Sequence, residues 1–200
     1  MKNKKITRKI TQGVYVLTTE GGGCIVDAVS QVSSGENPYI SVAIMKENHT
    51  CDLIKNNEFF SLSVLDETVN PDIIKIFGYN SMRDIDKFDS IGVVEVQGQK
   101  IIEDSLGYMI CKVVDRIDTG SHILIIGELI GADVFKDGLP MSYSYYQSHK
   151  ENYVEIKTEG GKTAWICTVC GYVYYGEEIP ADFKCPQCSV GKEYFEGKEN

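Results

Sequence analysis

Two cysteine pairs, Cys167-Thr-Val-Cys170 and Cys185-Pro-Gln-Cys188, constrain this chain more than any other feature, with 14 residues between them. Each CxxC closes a tight turn that aims two thiolates at one point, and two such knuckles complete a tetrahedron around a metal. Four sulfur ligands mean zinc or iron, and spacing alone does not choose between a zinc ribbon and an iron site. The other three of the seven cysteines, Cys24, Cys51 and Cys111, are scattered. That division fits reduced thiols plus one four-ligand metal site and not a disulfide framework.

Composition narrows the function classes. With 20 Lys+Arg against 29 Asp+Glu the net charge is −9, which excludes nucleic acid as a partner because phosphate binding rests on neutralising cations. The basic start, Met1-Lys-Asn-Lys-Lys5, is followed only by the short Val14–Leu17 run, and Ile123–Ile126 soon meets Glu128. Neither reads as a signal peptide or a membrane span, so a cytoplasmic protein without membrane contact is expected. Residues 151–200 hold nine acidic and five basic side chains, net −4, which either aids solubility or steers the module toward a basic partner.

The 200 residues are enough for one or two domains. Residues 13–135 read mostly as strands: Val14–Thr19, Cys24–Val32, Tyr39–Met45, Phe59–Leu65, Ile91–Val96, Leu106–Ile117 and His122–Val134. Phe60, Leu62 and Val64 alternate with Ser61 and Ser63, the signature of a half-buried strand. Such a run of strands predicts a mainly β fold, a closed barrel or a sandwich. Gly127 and Gly131 inside the last run predict a bulge or a close backbone approach. Asn70-Pro71-Asp72 starts one helix, ended by Gly78, and Asn48-His49-Thr50 starts another, while Ser81–Phe88 is a third candidate. The polar, Gly-containing stretch before Trp165 separates domain 1–150 from domain 163–200 by a linker at 151–162.

Residue by residue, the first domain holds no enzyme constellation. His49, His122 and His149 lack metal-ligand spacing, and His122 reads as a structural strand residue. Cys24 and Cys111 read as core residues, and Cys51 sits at a helix start, where thiolate character is favoured. Gly21-Gly22-Gly23 leads into no helix, so a hairpin turn is expected there and not a phosphate loop. Ser30, Gln31, Ser33 and Ser34 cluster at a strand end, and Lys46-Glu-Asn48-His49-Thr50 precedes a helix whose amides suit a phosphate. A polar loop and a capped helix would account for the same residues.

The terminal module carries Trp-Ile-Cys-x-x-Cys-Gly-Tyr-Val-Tyr, then Ile-Pro-Ala-Asp-Phe-Lys-Cys-Pro-x-Cys, then Gly-Lys-x-x-Phe-Glu. Over 163–196 it resembles a rubredoxin in the shortened form found at the end of rubrerythrins. Gly171 lets backbone amides approach the sulfurs, and Trp165, Tyr172, Tyr174, Phe183 and Phe195 supply a small aromatic core. The resemblance implies one iron per chain on Cys167, Cys170, Cys185 and Cys188, with zinc an alternative occupant of purified protein. Ser189 departs from the family, which usually has Gly there.

Residues 8–148 resemble the flavin reductase-like, FMN-binding split-barrel family. The resemblance rests on Gly-Cys-Ile-Val-Asp-Ala-Val-Ser-Gln-Val-Ser-Ser at 23–34, Lys-Glu-Asn-His-Thr at 46–50, and Phe-Gly-x-x-Ser-x-Arg-Asp-Ile-Asp-Lys-Phe at 77–88. Gly-Ser-His-Ile-Leu-Ile-Ile-Gly-Glu at 120–128 and the Tyr143–Tyr146 cluster fit the same pattern. It implies FMN at the interface of a homodimer, with Asp27, Ala28, Gln31, Val32, Ser33 and Ser34 at the ring and Lys46, Asn48, His49 and Thr50 at the phosphate. Asp27 stands where relatives commonly carry a neutral residue, Cys51 where His is frequent, and Met82 replaces a usual Gly.

The pairing resembles the high-molecular-weight rubredoxins of anaerobes. It implies electron transfer from NAD(P)H through FMN to the iron, then to a redox partner such as a flavodiiron oxygen or nitric oxide reductase. The alternatives are a flavin-binding regulatory or scaffold protein with a structural zinc ribbon, and a free-flavin reductase whose small module only docks a partner.

Overall fold

The computed structural model describes residues 4–80, 86–153, 163–169, 171–186 and 189–198. The chain divides into two units, Gln12–Ser148 and Met1–Thr11 with His149–Asn200. Among the described residues no helix is long and apolar enough to cross a membrane.

In the larger unit β1 (Tyr15–Thr19) and β2 (Gly22–Val26) form a hairpin, and Gly21 takes φ +85° at its turn. The glycine run is a hairpin turn, as its sequence predicts. There follow β3 (Val29–Gln31), β4 (Tyr39–Met45), α1 (His49–Ile54), β5 (Phe59–Val64) and α2 (Pro71–Tyr79). Next come β6 (Val93–Val96), β7 (Gln99–Ile102), β8 (Gly107–Asp118), β9 (His122–Val134) and α3 (Tyr143–Ser148). Seven strands form one antiparallel sheet in the order β2-β1-β5-β8-β9-β4-β3, and β6–β7 is a separate hairpin.

The connectivity forces this sheet to curl. β2 and β3 are its two edges, yet only Asp27 and Ala28 join them. Three residue steps reach about 10 Å at most, so the edges must come together and the sheet rolls toward a barrel whose seam is this dipeptide. The core packs Leu17, Val26, Val42, Ile44, Phe60, Leu62 and Ile125 inside that curl. The mainly β fold is as expected, in its barrel form.

Three local features differ from the sequence expectation. Ser61 and Ser63 are fully buried, not solvent-facing, because the β6–β7 hairpin covers that side of β5. Ser63 Oγ accepts the Ile102 N–H at 3.0 Å, and the Thr18 and Ser61 hydroxyls donate to the Lys100 carbonyl. Strand β7 itself, with only Ile101 and Ile102 apolar, was not foreseen. Helix α2 runs through Gly78 to Tyr79, where glycine was expected to end it. Of the third candidate helix, residues 81–85 lie outside the described residues.

Gly127 and Gly131 behave as expected. The β8–β9 register shifts between Ile110 and Cys111 and between Val113 and Asp115. A Cβ on Gly127 would stand 2.6 Å from the Phe60 ring and 2.7 Å from Cys111 Cβ, a close approach only glycine permits.

In the smaller unit β10 (Thr163–Cys167) lies between β11 (Val173–Gly176) and β12 (Phe195–Lys198). Phe183 stacks edge-on to Phe195 at 5.5 Å and lies 4.7 Å from Tyr174, while Trp165 Nε1–H donates to the Gly176 carbonyl. The predicted aromatic core is in place.

Candidate functional site

Cys167 and Cys185 begin two knuckles built on one plan. Cys167 N–H donates to the Tyr172 carbonyl and Gly171 N–H returns to the Cys167 carbonyl, both at 2.8 Å. Cys185 N–H donates to the Val190 carbonyl and Ser189 N–H returns to the Cys185 carbonyl, again at 2.8 Å. Each turn closes on a left-handed residue, Gly171 at φ +76° and Ser189 at φ +56°. Both cysteines are buried against Val190 and Phe195. Cys170 and Cys188, the second member of each pair, lie outside the described residues.

Among the described residues, two buried side-chain polar atoms lack a hydrogen-bond partner: Thr168 Oγ1 and His49 Nδ1. An orphaned buried polar group costs about 1–3 kcal/mol, so each points to a missing partner. Thr168 lies between the two cysteines of the first knuckle, where a thiolate sulfur would accept its hydroxyl proton. The donor set of two buried thiols in matched turns fits a tetrathiolate metal.

His49 Nδ1 marks the other candidate site. Asn48 caps α1 and its Oδ1 accepts the Thr50 N–H at 3.0 Å, which spends one helix-start amide on the protein itself. Thr50 is 1% exposed, so it turns inward. Lys46 Nζ donates to both oxygens of Asp118 at 2.7 Å, and that bond holds the Asp118 carboxyl below its usual range. Of the residues expected at the phosphate, His49 keeps an unpartnered Nδ1, whereas Lys46 is held by Asp118 and Asn48 and Thr50 shape the turn.

The expected ring-binding residues form a row. Ala28 accepts the Ala43 N–H, while Gln31 pairs with Ile40, so Asp27 and Ala28 sit near the α1 end of the β3–β4 ribbon. Val32, Ser33 and Ser34 follow at the other end, where Ser33 Oγ accepts the Tyr39 N–H at 2.7 Å and Gln31 Nε2 donates to the Ser33 carbonyl. Burial pushes the Asp27 carboxyl up, opposed by the amides of Asp27 and Ala28 and by the nearby His122 imidazole. His122 stands opposite Met45 in the β4–β9 ladder, so the structure brings a residue read as structural into this group. No short-range pattern links positions 27 and 122. The orphaned imidazole nitrogen and the row of backbone and hydroxyl groups fit a phosphorylated flavin.

The scattered cysteines are not part of either site. Burial raises the Cys24 thiol to about 11 and Cys111 to about 12, and raises Cys51 despite its place at a helix start. All three are buried in the core.

Residues 7–153 match the flavin reductase like domain, and residues 165–196 match the rubrerythrin, rubredoxin-like domain. The chain is 31% identical to a high molecular weight rubredoxin of Moorella thermoacetica, over 96% of this chain and 98% of that protein. It is 32% identical to a ferric-chelate reductase (NAD(P)H) of Archaeoglobus fulgidus, over 80% of this chain and 93% of that one. The flavin reductase HpaC, solved with NADP+, superposes with a TM-score of 0.60 at 27% identity, covering 70% of this chain and 90% of that chain. Barrel, knuckles and relatives agree: the chain is an oxidoreductase of the flavin reductase-like family that carries a C-terminal rubredoxin-like domain.

Proposed function

We propose that this protein passes electrons from NAD(P)H through FMN to a mononuclear iron held by Cys167, Cys170, Cys185 and Cys188, and on to a flavodiiron-type oxygen or nitric oxide reductase. The observation that carries the reading is the presence, on one chain, of a flavin reductase fold and a paired-knuckle thiolate module, each with an orphaned polar atom. A bound flavin would accept a two-electron hydride and release electrons singly, which suits a one-electron iron acceptor. The chain's own part is to hold each group. Lys46 and His49 would meet the phosphate, Asp27, Ala28, Gln31, Val32, Ser33 and Ser34 the ring, and the two matched turns would fix four sulfurs. Asn48 and Thr50 would shape the phosphate turn.

A homodimer is part of this reading. Val114, Ile117, Ile130 and Val134 on β8 and β9 are exposed apolar side chains, as an interaction surface requires. The cytoplasm is the compartment implied, since its reducing conditions keep thiols such as Cys24, Cys51 and Cys111 free.

An anaerobic spectrum before and after NADH tests the reading. Flavin and ferric tetrathiolate bands should both be present and both bleach. Stoichiometric zinc with no ferric band, or no loss of NADH, would overturn it. The likeness to a ferric-chelate reductase over 80% of the chain favours a second reading, in which the barrel reduces its acceptor without the small module. Turnover unchanged in a Cys167→Ser, Cys185→Ser double variant would select that second reading. Light scattering should give twice the chain mass of 22.3 kDa.

A further inference from the structure

Within the smaller unit a tight turn at Lys150–Asn152 is closed by the Tyr153 N–H on the Lys150 carbonyl, with Lys150 and Tyr153 both buried. Lys150 is 9% exposed, uncommon for a side chain that usually keeps its ammonium in water. Its Nζ donates to the carbonyl of Gly171. Gly171 is the left-handed corner of the first knuckle, one peptide bond from Cys170, and its own N–H holds the Cys167 carbonyl. A residue from outside the cysteine motifs therefore places a cation against the turn that carries two of the four thiolates.

We propose that Lys150 is a positioning and tuning residue of the metal centre, whose buried ammonium favours its reduced state and so raises its reduction potential. The proposal rests on the iron reading above. Four thiolates with ferric iron carry a net charge of −1, and one added electron makes it −2 with no bond or proton exchanged. A fixed positive charge in a low-dielectric surround stabilises the second state more than the first. Nothing in the knuckle motif specifies this cation, because Lys150 lies 17 residues before Cys167. The same contact pins the corner on which both Gly171 hydrogen bonds depend, so charge and geometry act at one carbonyl.

Three substitutions separate these effects. Lys150→Met removes both the charge and the donor, Lys150→Gln removes the charge and keeps a donor, and Lys150→Arg keeps both. Each iron-loaded full-length protein is titrated spectroelectrochemically, following the ferric tetrathiolate band. Met and Gln should each move the ferric-to-ferrous ratio at a fixed potential about tenfold toward ferric, which is about 59 mV for a one-electron couple. Arg should stay near the unsubstituted protein. If Met loses the band altogether, the Gln and Arg pair still decides. A shift in Met alone would show that the contact matters and the charge does not, which overturns the proposal. Unchanged potentials in all three overturn it as well. A missing ferric band in the unsubstituted protein overturns the iron reading, and this one with it.

Discussion

Gly171 and Ser189 occupy the same corner of successive knuckles: each N–H donates at 2.8 Å to the carbonyl of its first cysteine, Cys167 or Cys185. Glycine adopts the required positive φ without penalty, and serine does not. A left-handed conformation costs a side-chain-bearing residue about 1–2 kcal/mol, partly offset by the freedom glycine loses on folding. Ser189→Gly should therefore stabilise the smaller unit by about 0.5–1 kcal/mol, and Gly171→Ala should destabilise it by about 1–2 kcal/mol. Guanidinium titration followed by loss of the metal–thiolate absorbance measures both. A destabilised Ser189→Gly would contradict the strain account.

Ser63 carries a buried hydrogen bond from the Ile102 N–H across to β7. Ser63→Ala leaves that amide without an acceptor in a dry place, at a cost of about 1–3 kcal/mol. The urea midpoint of the flavin reductase-like unit should fall accordingly. An unchanged midpoint would mean that water reaches Ile102 N–H.

Gly127 lies under Phe60 and Cys111 with no room for a methyl group. Gly127→Ala overpacks the centre of the barrel and should cost about 1–3 kcal/mol, with the slope of the denaturation curve unchanged. Trimming the facing ring in a Gly127→Ala, Phe60→Leu double variant should recover part of the loss. Additive losses would show that the two residues do not meet.

Asp27 gives stability a pH dependence. Burial raises its folded-state pKa above the unfolded value, so folding favours the protonated form. Its contribution is intact below the unfolded pKa of about 4 and is lost as pH rises through the raised folded value. Asp27→Asn should therefore be more stable than the unsubstituted protein at pH 7, with the difference vanishing toward pH 4. Thermal unfolding at several pH values would show it. A constant difference across that range would exclude Asp27 as the source.

Much of this molecule was legible in its sequence because the controlling signals are local. CxxC spacing, aromatic residues around the knuckles, glycine in β9 and the Asn-Pro helix start each act within a few positions. What escaped was non-local. Ser61 and Ser63 alternate with apolar residues as if they faced water, and only the hairpin at 93–102 shows that they face protein. Likewise, Asn48 and Thr50 sit in a segment that reads as a phosphate site. Thr50 turns into the core, and its burial depends on strands far from it in sequence. His122 acts on Asp27 electrostatically and Lys150 bonds Gly171 across 95 and 21 residues of sequence, which no motif window covers.

The two-residue seam between Val26 and Val29 gives chain length a chemical meaning. A strand alternates its side chains in and out, so one inserted residue would turn β3 over, and one removed would pull the barrel shut or tear its edge open. Gly35, with open space around it, could absorb such changes without effect on the curl. At the seam, spacing is therefore as restrictive as residue identity. A length variant there should lose both the rolled sheet and the aim of Asp27 and Ala28, even with every proposed flavin contact still present in the sequence.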